Sequence, residues 1–168
     1  LQKFSEMETY YVLFGSNQGD RQQLFAQASL LVEDRCGRIV QVSKAYESEP
    51  WGFEAEEWFL NRVIAVESEL APEEMLRQLQ AIESELGRVR HPEIEGYTSR
   101  TADLDVLYYG NHIIQTESLT IPHPRLHLRR FALAPMCDVA PYWMHPVLHK
   151  TQVELLECCP DESVVREF

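Results

Sequence analysis

Nowhere in its 168 residues does the chain gather an apolar run approaching the roughly 20 residues that span a bilayer. Its start also lacks the basic-then-apolar order of a secretory signal. Both absences predict a chain that stays off membranes and works in the cytoplasm. Cysteine is scarce: Cys36, Cys137, Cys158 and Cys159 have no metal-ligand spacing, and an adjacent pair makes a poor disulfide framework, so reduced thiols are expected. Positive charge is short as well, 15 Lys/Arg against 27 Asp/Glu, a formal net charge of -12. Without a global positive field to neutralise phosphates, nucleic acid is not an expected partner. Residues 1–6 precede Met7 and are set aside as a tag remnant or disordered N-terminus. Residues 7–168 read as one domain with enough chain for a core, acting as a monomer.

The charge that is present is unevenly spread. Residues 88–130 hold six Lys/Arg (Arg88, Arg90, Arg100, Arg125, Arg129, Arg130) against five Asp/Glu, inside an otherwise acidic chain. Arginines, histidines and a pair of aspartates gathered in one window suit a polyphosphate and metal site better than a nucleic-acid groove. At its centre lies RTADLDVLYYG, residues 100–110. On a strand, alternation puts Asp103 and Asp105 on one face and Leu104, Val106 and Tyr108 on the other. The two Cα atoms are then roughly 6.6 Å apart, two strand rises, near enough for the carboxylates to share one hard cation or straddle two. An edge strand charged against aggregation is the bland alternative. Two carboxylates on a sheet face flanked by apolar residues call for a cation or a function.

Taken in order, residues 9–15 (TYYVLFG) are strand-like, and residues 16–20 turn into a helix from about Asp20 to Arg35, with Asp20 and Gln23 resembling a capping box. The GSNQGD turn lacks the lysine of a phosphate-binding loop and is weighted as structural. Residues 38–46 (RIVQVSKAY) predict a second strand, followed by an acidic, aromatic loop with Trp51 that folds onto the core or lines a flat ligand's pocket. Residues 59–67 predict a third strand with Phe59, Asn61, Val63 and Ala65 on one face. A ring beside a two-way amide suits a planar heterocycle, though on these residues alone a core Asn beside a core Phe is the first reading. Pro72 opens a helix to Leu86 with Met75, Leu79 and Ile82 as its core stripe and Leu76, Gln80 and Glu83 on a stripe beside it. Residues 87–100 are polar and helix-incompatible, and a mobile loop is expected there. A fourth strand spans residues 102–109, Gly110-Asn111 makes a hairpin-like turn, and residues 122–131 lead into a short helix. Residues 151–158 form a last amphipathic helix. The order β-α-β-β-α-β is that of a ferredoxin-like α+β fold, an antiparallel sheet with helices packed on it.

The motifs FGSNQGD, Phe59-Leu-Asn61, Gly87-Arg-Val-Arg90, RTADLDVLYYG and IPHPRLHLRRF, in this order, make the chain resemble the 6-hydroxymethyl-7,8-dihydropterin pyrophosphokinases of folate biosynthesis. The resemblance covers about residues 10–156. It implies transfer of pyrophosphate from the co-substrate ATP to the pterin's hydroxymethyl group, with two Mg²⁺ ions on Asp103 and Asp105. By the same resemblance Arg88, Arg90 and Arg100 join the aspartates in catalysis. Ser48, Trp51, Phe59, Asn61, Tyr97 and Phe131 line the pterin pocket. ATP is met by Leu76, Gln80, Glu83, Val106, Leu119, Thr120, His123 and Arg129. The chain departs from the pattern at Phe59, often tyrosine, at Tyr97, often tryptophan, and at Ser118, where some members carry arginine. Two other classes are weighed beside this one, a non-catalytic ferredoxin-like small-molecule-binding domain and a metal-dependent phosphohydrolase. The first should lack the paired aspartates, whereas the second could use them with arginines too, and the products formed from ATP separate it from a pyrophosphokinase.

Overall fold

The computed structural model describes residues 7–49, 58–87 and 102–168. Strands β1 (Glu8–Ser16), β2 (Arg38–Val42), β3 (Tyr46–Ser48), β4 (Phe59–Ser68), β5 (Asp103–Tyr109) and β8 (Val165–Glu167) make one sheet. Its order is β5-β1-β4-β3-β8, with β2 also paired to β4, and every pairing is antiparallel. Counting β2 and β3 as one interrupted strand, the four principal positions run fourth, first, third, second. That is the expected ferredoxin-like arrangement. A two-stranded ribbon, β6 (Ile114–Gln115) with β7 (Thr120–Ile121), stands apart.

Helices α1 (Arg21–Arg35) and α2 (Pro72–Leu86) cover one face of the sheet, and α3 (Arg130–Val139) and α4 (Gln152–Glu157) the other. Asp20 caps α1 by accepting the Gln23 N–H at 3.1 Å. Pro72 starts α2 where no N–H is needed, and Met75, Leu79 and Ile82 are buried, each worth about 1.5–3 kcal/mol relative to exposure. A full capping box, Thr151 with Glu154, fixes the start of α4. Alternation along the strands divides the core in two. Tyr10, Val12 and Phe14 of β1 join Ile64 and Val66 of β4 beneath α1 and α2, whereas Tyr11, Leu13, Val63 and Ala65 pack under α3 and α4.

Three expectations need correction. The strand over residues 38–46 is broken: at Ser43 the side-chain Oγ takes the Val63 N–H at 2.9 Å, and the Ser43 carbonyl turns to the Arg62 guanidinium at 2.8 and 3.1 Å. A side chain has replaced a rung of the ladder, and pairing resumes only at Tyr46. Tyr108 does not share a face with Leu104 and Val106. Partners run from Val12 with Val106 to Tyr11 with Tyr108, so Leu107 is an extra residue, and this bulge turns Tyr108 with Leu107 into the second core. Finally, the Gly110 turn makes no hairpin with β5, because β6 pairs with β7. Gly110 sits at φ +50, with its N–H on the Thr9 carbonyl, and a Cβ there would meet the Glu8 carboxylate at 2.5 Å. The short helix expected behind residues 122–131 begins at Arg130 and runs to Val139, and β8 escaped prediction altogether.

Candidate active site

Register assembles the site. Asn61 on β4 faces Gly15 on β1, which faces Asp103 on β5, and two pairs along Leu13 faces Asp105. Directly opposed residues of an antiparallel pair point the same way. Asn61, Gly15, Asp103 and Asp105 therefore share the face that carries α3 and α4. Gly15 contributes no side chain, and a Cβ built there would lie 3.6 Å from Asn61 Oδ1, so the floor between amide and carboxylate stays open. Read as part of a structural turn from sequence, Gly15 sits in the sheet between Asn61 and Asp103, a placement that the sequence reading missed. Its signal was the glycine closing a strand whose neighbours bear Asn61 and Asp103.

Asn61 is 3% exposed, and its orientation is set. Its Nδ2 donates to Ser48 Oγ at 2.8 Å and to the Tyr46 carbonyl at 3.3 Å, leaving Oδ1 on the Gly15 side. Ser48 is paired with Phe59, which is half-buried at the start of β4. Phe131, one residue into α3, packs partly buried against the second core, with the Arg129 guanidinium 5.6 Å from its ring centre. Asp103 and Asp105 are half-buried.

The residues expected around a nucleobase lie on the opposite face. Val106 and Leu119 are buried in the first core, with Leu76 packed against it; Gln80 and Thr120 are exposed. Glu83 accepts the Leu104 N–H at 2.8 Å, which ties the end of α2 to β5 beside the aspartates. His123 donates its backbone N–H to the Leu107 carbonyl, while its Nδ1 accepts the Arg125 N–H at 3.1 Å. The neutral ring thus carries its proton on Nε2. Burial, with Arg129 and Arg125 nearby, pushes the His123 pKa down to about 4, so at neutral pH it offers a hydrogen bond rather than a charge. Arg88, Arg90, Tyr97, Arg100 and Trp51 lie outside the described residues. Among the described residues no cluster of three or more His, Cys, Asp or Glu is arranged to hold a metal.

Residues 11–141 match the family described as 7,8-dihydro-6-hydroxymethylpterin-pyrophosphokinase, HPPK. The chain belongs to the HPPK family. It is a pyrophosphokinase of folate biosynthesis. The HPPK of Porphyromonas gingivalis, 2-amino-4-hydroxy-6-hydroxymethyldihydropteridine pyrophosphokinase, is 43% identical over 141 residues, 83% of this chain and 95% of that protein. The Haemophilus influenzae enzyme of the same name is 40% identical over 163 residues, 95% of this chain and 98% of that protein. In structure, the Plasmodium falciparum HPPK-DHPS solved with pteroate superimposes with a TM-score of 0.74 at 17% identity, over 94% of this chain and 43% of that one, which is a likeness of fold. No described helix is long and apolar enough to cross a membrane.

Proposed function

We propose that this HPPK seats its pterin between Phe59 and Phe131, reads the pterin edge with Asn61 and Ser48, and holds the triphosphate of ATP against Asp103 and Asp105. What carries the reading is the shared face of Asn61, Gly15 and the two aspartates. A flat ring resting over Gly15 reaches an amide on one side and directs a substituent toward two carboxylates on the other. Trp51 and Tyr97 complete the pocket. Leu76, Val106 and Leu119 give apolar contact to the base, and Gln80, Glu83 and Thr120 border the nucleoside. His123 and Arg129 contact phosphates, the histidine through Nε2–H, and Arg88, Arg90 and Arg100 join them.

The donor set fits two Mg²⁺ ions held by Asp103 and Asp105: a pair of hard carboxylates with no further clustered ligand among the described residues matches an ion that takes one or two carboxylates and completes its shell with phosphate and water. When bound, the ions supply neutralisation of triphosphate charge. The chain's own residues do the positioning. Asn61, fixed by Ser48, orients the pterin; the stacking rings hold its plane; the arginines stabilise the oxygens that gain charge as AMP departs. Every residue assigned comes from one chain, so a monomer, built as a single pyrophosphokinase domain over residues 7–168, suffices. The cytoplasm, where ATP is supplied, is the proposed compartment.

The test is incubation with ATP, Mg²⁺ and 6-hydroxymethyl-7,8-dihydropterin, with product analysis. AMP and pterin diphosphate in equal amounts are expected, and none with chelator. Free phosphate or diphosphate without a pterin product would overturn the reading.

A further inference from the structure

Directly behind the pocket, on the other face of the sheet, lies a charged cluster that the reaction does not use. Alternation sends Tyr46, Ser48, Phe59 and Asn61 to the pocket face, and Glu47, between Tyr46 and Ser48, to the reverse, where Leu60 and Arg166 are its direct partners. Glu47 is met by two arginines, Arg21 of α1 at 2.9 Å and Arg166 of β8 at 3.5 Å, and its side chain is only 15% exposed. Arg166 also lies 4.1 Å from the ring centre of Trp58, and Arg21 donates to the Trp58 carbonyl at 2.7 Å. The strand that this cluster holds is short: β3 has three residues, and β8 pairs with all of them. Val164 N–H to Glu49 at 2.9 Å and Phe168 N–H to the Ala45 carbonyl at 2.9 Å fasten the two ends of that pairing.

We infer that Arg21, Glu47, Trp58 and Arg166 form a latch that positions the pterin pocket from behind, with Arg166 as its central positioning residue. The inference rests on the pocket assigned above. Ser48 orients the Asn61 amide, and Ser48 sits on a strand whose second edge is supplied by β8. Trp58 immediately precedes Phe59. Arg166 grips both flanks of the pocket, Glu47 on β3 and Trp58 ahead of β4. Without it, β3 keeps its three-residue pairing to β4 and Arg21 still bridges Glu47 and the Trp58 carbonyl, but one of the two clamps that fix its offset from Phe59 is lost. Pterin recognition suffers, while the nucleotide residues on α2, β5 and β7 lie toward the opposite edge of the sheet, beyond β4 and β1, and are untouched.

Arg166→Ala and the near-isosteric Glu47→Gln are compared with the parent protein. Removing a partly exposed ion pair together with a cation-π contact is expected to raise KM for the pterin roughly five- to tenfold, with KM for ATP and Tm close to the parent's. Arg166→Lys, which keeps the pair with Glu47, recovers part of the loss. The side-chain amide signals of Asn61 in the ligand-free protein are expected to shift in both latch variants, since they report the bond to Ser48. Unchanged pterin KM and unmoved Asn61 signals would overturn the latch. So would a parallel rise in both KM values with falling Tm, which marks general loosening. Should the parent protein fail to turn over the pterin, the pocket assignment falls, and the Asn61 signals still decide whether the latch governs that side chain.

Discussion

Asp103 and Asp105 carry the sharpest prediction at the scale of single residues. Changing either to Ala should cut turnover by on the order of 10²-fold or more, the scale of losing one preorganised charge-stabilising group, with the circular dichroism spectrum and Tm retained. Phe131→Ala should weaken the pterin about fivefold, for a stacking plate worth about 1 kcal/mol, and leave ATP affinity nearly alone, as titration with each ligand separately will tell. Gly15→Ala adds a methyl at ordinary contact distance from Asn61 Oδ1, so the fold should tolerate it while KM for the pterin rises. The carboxylate pair was legible because alternation on a strand needs no tertiary knowledge, and the same rule put Phe59 beside Asn61. The placement of Gly15 was not legible: a glycine matters here for what it leaves empty, and only the register across three strands says what borders the gap.

Elements were read well where one local signal sufficed and badly where two segments bargained. Helix α2 announced itself by Pro72 and its apolar stripe. The β2–β3 break did not, since RIVQVSKAY is a continuous strand pattern and the interruption comes from Ser43 and Arg62, 19 residues apart. Ser43 is 2% exposed, and its Oγ is the partner of the Val63 N–H. Ser43→Ala should therefore cost about 1–3 kcal/mol, the penalty for a buried donor left without an acceptor, read as a lower denaturant midpoint with an unchanged slope. Strand β8 was invisible for a related reason. Three residues carry too little pattern to be seen, and they become a strand only because β3 offers them an edge.

For the whole molecule, acid is the informative stress. His123 and His145 both have pKa values lowered to about 4, each chiefly by burial, with Arg129 and Arg125 adding to the first and His127 and His149 to the second. An unfolded histidine titrates near 6.5. Between pH 6.5 and 4 the unfolded chain takes up protons that the folded one refuses, so stability is complete above about pH 6.5 and falls as pH drops toward 4. His145 Nδ1 accepts the N–H groups of Val147 and Leu148, bonds that protonation would break. Thermal melts from pH 7.5 to 4 should show the decline, and His145→Asn, whose amide oxygen can accept in the same place, should flatten it. The division of the core by the sheet bears on ligand response as well. With Asp103 and Asp105 on one face and the residues proposed for the nucleobase on the other, the ATP site proposed above drapes the nucleotide over the rim formed by β5, resting on both hydrophobic layers at once. Nucleotide then works as a rivet through two plates that the sheet alone would otherwise join. Its binding should make hydrogen exchange in α2 and in α3 slow down together, although the two helices lie on opposite sides of the sheet.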